Sequence, residues 1–409
     1  MRLTPAARWS WHGVRGPLAG MVLTQSAAAM VLTTVPVLAP EIARDTGIDA
    51  SAVGAYTSLV FGAAMFSSAL SGTLIERLGA VRANQAVLLV SALALLVTLP
   101  ARLPAVALSA VLVGVGYGPN TPTGSQVLAR VTPPHMRAMV FSIKQSGAPV
   151  GGMLAGLMLP VVAVSFGWQA AIVLASALTM LAALAVEPLR RRLDSAGAGG
   201  AGGAGAAATR TSTVAAMREV LASPDLRRLS TAAFLLMILH TCFQTFTVAF
   251  LVEHVDLSLP LAGGLYAVLC AAGAVARVGL GWAADRLQRP REVLFATSLA
   301  GAISAGSFGV FSPHWSVPVM VAVSALAGAA TSGWYGVFLA EVSRRSPPGR
   351  VGLATGGALF FVYSSIVVGP LVFAALVALG DGYLLAFMVL AAMTLAASVN
   401  LLRMRAAAG

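Results

Sequence analysis

Three ionisable side chains stand inside long apolar stretches of this 409-residue sequence: Lys144, Arg277 and His240. Such groups are costly in an apolar setting and are kept where they bind, relay or pair with something. Lys144 is the only lysine in the chain, whereas every other strong base is arginine. No carboxylate shares the middle of a stretch with these cations, since Glu41, Glu253, Asp256, Glu341 and Asp381 all fall near stretch ends. Uncompensated cations in a low-dielectric site are unfavourable, and a bound anion removes the cost. The arginine fork suits a carboxylate, and a lysine ammonium can follow a moving charge. The chemistry expected of Lys144 and Arg277 is therefore reversible binding of a small organic anion. His240 lies near mid-stretch and changes charge near neutral pH, which fits a proton relay. Other roles stay open. Lys144 could snorkel to a polar boundary, Arg277 could bond helix-end carbonyls or Asp285, and His240 could bond a neighbouring helix.

The elements that must position these residues are membrane helices. The chain is 58% hydrophobic and 10% charged, with a mean hydropathy of +0.87. A soluble domain averages roughly 45–50% apolar and about 25% charged residues, so an ordinary wet surface is excluded. Strand alternation is absent, which excludes a β-barrel. A spanning helix needs roughly 20 mainly apolar residues. Twelve stretches qualify, at 17–40, 51–75, 83–100, 104–129, 138–165, 168–187, 228–252, 261–284, 292–311, 317–340, 351–378 and 382–402. The N-terminus carries no recognisable cleavage site, so the first stretch is expected to be a membrane helix and not a cleaved leader.

The net charge of +12 does not point to nucleic acid, because the arginines occupy short loops between apolar stretches. With the N-terminus in the cytoplasm, 22 of the 26 basic residues fall on the cytoplasmic side. Only Arg44 and Arg102 fall outside, and Lys144 and Arg277 lie within stretches. Both termini are expected in the cytoplasm. The richness in Ala, Gly and Arg fits a GC-rich bacterium, and so its cytoplasmic membrane.

Two halves repeat. GTLIERL at 72–78 matches GWAADRL at 281–287, and Gly54-Ala55-Tyr56 matches Gly264-Leu265-Tyr266. LARVTPPHMR at 128–137 resembles LAEVSRRSPPGR at 339–350. Ordered matches at a nearly constant offset indicate a duplicated six-helix unit. Between the halves runs a low-complexity AGAGGAGGAGAAAT segment at 196–209. The expected organisation is an N-terminal half at 1–187, a flexible cytoplasmic linker at 188–227 and a C-terminal half at 228–409. Parallel repeats of this kind place a substrate site near the bilayer midplane.

The pattern Gly72-x-x-x-Glu76-Arg77-x-Gly79-x-x-Arg82 resembles the loop 2–3 signature of the major facilitator superfamily, and Gly281-x-x-x-Asp285-Arg286 resembles its second copy. The resemblance covers essentially the whole chain and implies an all-α membrane protein. Its twelve transmembrane helices would form two pseudo-symmetric six-helix halves working by alternating access. Arg277-x-x-x-Gly281-x-x-x-Asp285 is similar to the corresponding segment of monocarboxylate porters and oxalate:formate exchangers, where the arginine is associated with the substrate carboxylate. Two features depart from those porters. The first stretch opens on Arg15-Gly16-Pro17-Leu18, and no second basic residue lies between Ala354 and Pro370. FSIKQSGAPVGG at 141–152 resembles bacterial uptake-type members near the cyanate-transporter branch.

The polar lining follows from the same frame. Gln25, Asn120, Gln244, Trp334 and Tyr335 are the further candidates for substrate contact. Glu76, Arg77, Arg137, Asp285, Arg286 and Arg350 are expected to form a cytoplasmic gate, with the acids pairing across to arginines. Gly118-Pro119, Gly147-x-Pro149-x-Gly151-Gly152 and Gly369-Pro370 are expected helix breakers. No catalytic constellation, metal-ligand spacing or phosphate loop is present, so neither an enzyme nor a cofactor is expected. The function expected is secondary transport of a small organic anion, driven by protons or by exchange for a second anion. The protein would work as a monomer in a lipid bilayer, without nucleic acid. The alternative is efflux of a drug or endogenous metabolite.

Overall fold

The computed structural model describes residues 13–404 apart from 48, 69, 134–135, 194–212, 288, 348–349 and 381. The described residues are helical, with no strand among them. Ten helices are long and apolar enough to cross a membrane, or eleven if the bent pair Ser71–Leu78 and Ala80–Leu96 is one span. All twelve expected stretches are helical. The first six are span one (Arg15–Thr46), span two (Val53–Ser68), span three (Ala80–Leu96), span four (Leu103–Val131), span five (Met139–Phe166) and span six (Trp168–Arg190). The second six are span seven (Pro224–Glu253), span eight (Leu259–Leu287), span nine (Pro290–Gly309), span ten (Val317–Arg345), span eleven (Val351–Leu379) and span twelve (Tyr383–Leu402). Spans three and nine are the two short of the spanning criterion on their own. Span three has 17 residues, and span nine opens with Pro290, Arg291 and Glu292.

Helix ends are set by local chemistry. Proline occupies the first turn of spans four, seven, nine and ten, where its missing N–H has no helical partner to lose. The Ser223 side chain accepts a hydrogen bond from the Leu226 N–H and caps span seven. Gly167, at φ +84°, turns the chain from span five into span six, a backbone conformation that L side chains rarely adopt. Three spans are interrupted. Span four breaks at 118–119, where Pro119 and Pro122 remove two ladder donors three residues apart, and span five breaks at Ser146, ahead of Pro149. Span ten breaks at Gly333. Span eleven, by contrast, runs unbroken through Gly369-Pro370, so the expected breaker there does not end the helix. Span two ends earlier than expected, and the 72–78 motif forms its own exposed helix, Ser71–Leu78.

Within the expected linker, the described parts are helical at both flanks, Glu187–Leu193 and Thr213–Ala222. The low-complexity run lies outside the described residues. Helix Thr213–Ala222 docks on span eleven, where Gly357 is so close to the Ala216 carbonyl that a Cβ would collide with it.

Small residues allow the same close approach elsewhere, as expected of helices packing in lipid. A Cβ on Gly114 would strike the Val60 carbonyl of span two, and one on Gly328 would strike the Leu269 carbonyl of span eight. The two halves meet at one end of the bundle. There Gly54 lies under the Pro370 carbonyl and Phe246, Gly156 crosses Gly263, and Ser58 Oγ donates to the Val367 carbonyl at 2.7 Å. At the opposite, arginine-rich end, segment Asn120–Val131 packs on spans one and three of its own half. Segment Trp334–Arg345 packs on spans seven, eight, nine and eleven of the other.

These approaches give a direct test of the packing. Gly114→Val forces overpacking and is expected to cost about 1–3 kcal/mol, read as a lower melting temperature in detergent. Gly264→Ala, with open space around it, is expected to change stability by no more than about 1 kcal/mol, and upward.

Candidate functional site

Arg277 lies two turns before the arginine-rich end of span eight. It is within Coulombic range of Tyr117 from span four and of Tyr335 and Cys270 from its own half, and it couples to His240 on span seven. Tyr363 of span eleven completes the group through Tyr117 and Tyr335. Phe61 stacks edge-on against Tyr117 with ring centroids 6.0 Å apart. The Nε of Arg277 and the Nδ1 of His240 are buried with no hydrogen-bond partner. Among the described residues no carboxylate pairs with this guanidinium, and the alternative of an Arg277–Asp285 bond falls on a side chain outside the described residues. The arrangement is one cation, one imidazole and three phenols from both halves, with spare donors. It can hold a group that is negatively charged or rich in acceptors.

Lys144 is placed elsewhere. It is 1% exposed, so it does not snorkel, and its Nζ donates to the Thr121 carbonyl at 3.2 Å. A methyl added at Gly124 would lie 3.2 Å from its Cε and 3.4 Å from the Met21 sulfur, so the side chain lies across Gly124 beneath span one. No contact joins Lys144 to Arg277, and the expected pair of cations around one anion is not assembled among the described residues.

The remaining candidates divide by burial. Gln25 and Asn120 are 2% exposed, and the Asn120 amide donates to Gln25 Oε1 at 3.2 Å. Asn84 of span three, which periodicity does not single out, donates to Asn120 Oδ1 at 3.1 Å and to Thr123 Oγ1 at 3.0 Å. These residues bond one another inside the first half, as buried amides tend to, although Asn84 Oδ1 is buried without a partner. Trp334 is 1% exposed, packs among Leu229, Leu236, Phe338 and Leu401, and donates to the Thr331 carbonyl at 2.9 Å. Its ring is turned into the core of the second half, because the break at Gly333 sends Trp334 inward while Tyr335, one residue on, faces the Arg277 group. Gln244 accepts a short hydrogen bond from Tyr266 and a 3.9 Å contact from the Cys270 thiol. That cluster sits where spans five and eight cross, since a Cβ at Gly152 would come within 2.9 Å of the Cys270 sulfur.

Among the described residues, the gate candidates are not paired across the halves. Glu76, Arg77 and Arg137 are exposed and form no ion pair among the described residues. Arg286 stacks over Trp282 with 5.6 Å from its guanidinium carbon to the ring centroid. Arg350 pairs with Glu219 of the docked helix at 2.9 Å. The acid that sequence reading left at a stretch end, Glu341, is fully buried in span ten and bonds Arg344 at 2.8 Å and Arg345. Arg345 also reaches Asp225 at 2.6 Å, tying span ten to the start of span seven. The clue was Glu341-x-x-Arg344-Arg345, whose spacing puts acid and bases on one helix face.

With this geometry established, similarity to known proteins can be placed. The sequence profile described as Major Facilitator Superfamily matches residues 21–316. The chain belongs to the Major Facilitator Superfamily. It is 36% identical over 64 residues to the hexuronate transporter of Bacillus subtilis, covering 16% of this chain and 15% of that one. It is 25% identical over 224 residues to an uncharacterized MFS-type transporter of Mycobacterium tuberculosis, covering 52% of this chain and 46% of that one. The chain thus matches less than half the length of either relative. Among solved structures, a nucleoside transporter has a TM-score of 0.77 at 14% identity, covering 95% of this chain and 98% of that one. A bacterial homolog of the human lysosomal transporter Spinster, in an inward-facing and unoccupied conformation, has a TM-score of 0.76 at 18% identity, covering 98% of this chain and 100% of that one. These likenesses concern the fold.

The burial of the amide network separates glue from ligand contact. Asn120→Ala leaves Gln25 Oε1 without its donor and takes one acceptor from Asn84, and is expected to lower stability by about 1–3 kcal/mol. A thermal melt in detergent checks this. An unchanged melt with impaired ligand binding would move Asn120 to the cavity wall. In the same assay, Glu341→Ala removes a buried acid that Arg344 and Arg345 share and is expected to destabilise by about 1–3 kcal/mol.

Proposed function

We propose that this protein is a secondary transporter that moves a small organic anion across a bacterial cytoplasmic membrane by alternating access, with Arg277 as the principal anion ligand. The observation that carries the reading is Arg277 itself. It is a cation set beside Tyr117 and Tyr335, with Tyr363 next to both phenols, an unpartnered Nε and, among the described residues, no carboxylate bonded to it. A carboxylate supplied by the cargo completes that site, and the phenols offer donors to further cargo oxygens. The partial relative named for hexuronate transport is in keeping with this, because a hexuronate is a carboxylate. Proton coupling through His240 follows from its electrostatic link to Arg277, since a charge change on one alters what the other can hold. The protein carries out no catalysis under this reading. The arginine-rich end faces the cytoplasm by the distribution of basic residues, so the halves are joined on the outside and parted on the inside.

The test is a thermal-shift comparison of wild type and Arg277→Gln in detergent, against acetate, lactate, glucuronate, neutral sugars and lipophilic cations. A bound ligand at about 100 times its Kd stabilises by about 2.7 kcal/mol. Stabilisation by a carboxylate, absent in Arg277→Gln, is the expected result. Stabilisation by neutral or cationic compounds that persists in the variant overturns the anion reading in favour of efflux of such compounds.

A further inference from the structure

The Lys144 pocket has features that the anion site does not use. Lys144 is sealed at 1% exposure, and its ammonium meets a single acceptor, the Thr121 carbonyl at 3.2 Å. An ammonium has three donors to satisfy, and a buried one without an acid is costly. The residues packed against it offer no such acid. Span one presents Met21, span four presents Gly124 and the Thr121 carbonyl, and its own helix continues with Gln145. The nearest charged groups along these three elements are Arg15, Arg130 and Arg137, and all are cations. They disfavour a further positive charge and cannot serve as counter-ions.

The position in the fold adds the second observation. Thr121 lies two residues beyond the break in span four, and Lys144 lies two residues before the break in span five. The one side-chain hydrogen bond of this lysine among the described residues therefore ties together the two segments, Asn120–Val131 and Arg137–Gln145, that the breaks free from the upper parts of their helices. A neutral amine keeps that bond through one N–H and needs no counter-ion. A charged ammonium calls for water, which reaches it only if the two segments part.

We propose that Lys144 is a proton-exchanging site that controls the hinge between the lower segments of spans four and five. In the exchange, Nζ as ammonium gives one proton to a water entering between the segments. The resulting amine retains its N–H bond to Thr121 and the hinge closes. Reprotonation from water reverses both changes. This site is in the first half, apart from His240 and Arg277, and the proposal does not depend on which cargo binds there.

Because lysine occurs once in the chain, selective 15N labelling at the lysine Nζ gives a single side-chain resonance from the full-length protein in detergent. The expected result is a reversible change between ammonium and amine forms across near-neutral pH. A resonance that remains ammonium throughout overturns the proposal. Hydrogen exchange read by mass spectrometry, corrected for the intrinsic effect of pH, supplies the hinge readout in the 120–131 and 137–145 segments. Faster exchange on the acidic side in wild type, with no such difference in Lys144→Met, is expected. The same pH dependence in both proteins overturns the coupling between charge and hinge. The apolar variant fills the same pocket, and the resonance measurement needs no variant at all.

Discussion

Two internal cations, Lys144 and Arg277, that bond no acid among the described residues set the terms for this structure. Lipid offers neither water nor counter-ions, so each such charge must be met by a dipole, a ligand or the loss of a proton. The fold uses different answers at its two sites. Arg277 is given phenols from both halves and keeps an unbonded nitrogen, an arrangement that a transient acceptor can complete. Lys144 is given one carbonyl and a dry pocket. The interruptions of spans four, five and ten make both environments possible, because each redirects a helix at the depth where the polar groups lie.

Most of the architecture was legible in the sequence, because hydropathy and arginine placement act over whole segments. Twelve apolar stretches became twelve helices, and the repeat of GTLIERL by GWAADRL marked equivalent ends. What was not legible depends on rotation about a helix axis. Trp334 and Tyr335 are neighbours in sequence, yet one fills the core and the other joins the Arg277 group. Asn84 gave no signal, because its importance lies in two partner residues, Asn120 and Thr123, on another helix. Tyr117 had a readable clue in the adjacent Gly118-Pro119 break. The gate acids were sought in the loop motif, while the buried acid at the arginine-rich end is Glu341, held by bases one turn away on its own helix.

The docked helix Thr213–Ala222 changes how the join between the halves is to be understood. It was expected as part of a passive tether. Instead it packs on span eleven through Gly357 and holds Arg350 through Glu219. The helix that follows residues 194–212 is thus fixed to span eleven of the second half.

The close contacts at the joined end are made by backbone carbonyls, glycines, hydroxyls and a phenylalanine, and beside them Glu253 of the second half lies within Coulombic range of Asp49 and Arg44 of the first. Ionic strength has little hold on the uncharged contacts, since screening acts only between charges. Closing the other end would instead crowd Arg77, Arg137, Arg286 and Arg350 together, and dissolved anions would ease that repulsion. The two faces of the protein are therefore unequal in their response to salt, and the balance between its conformations is more sensitive to the electrolyte on the arginine-rich side.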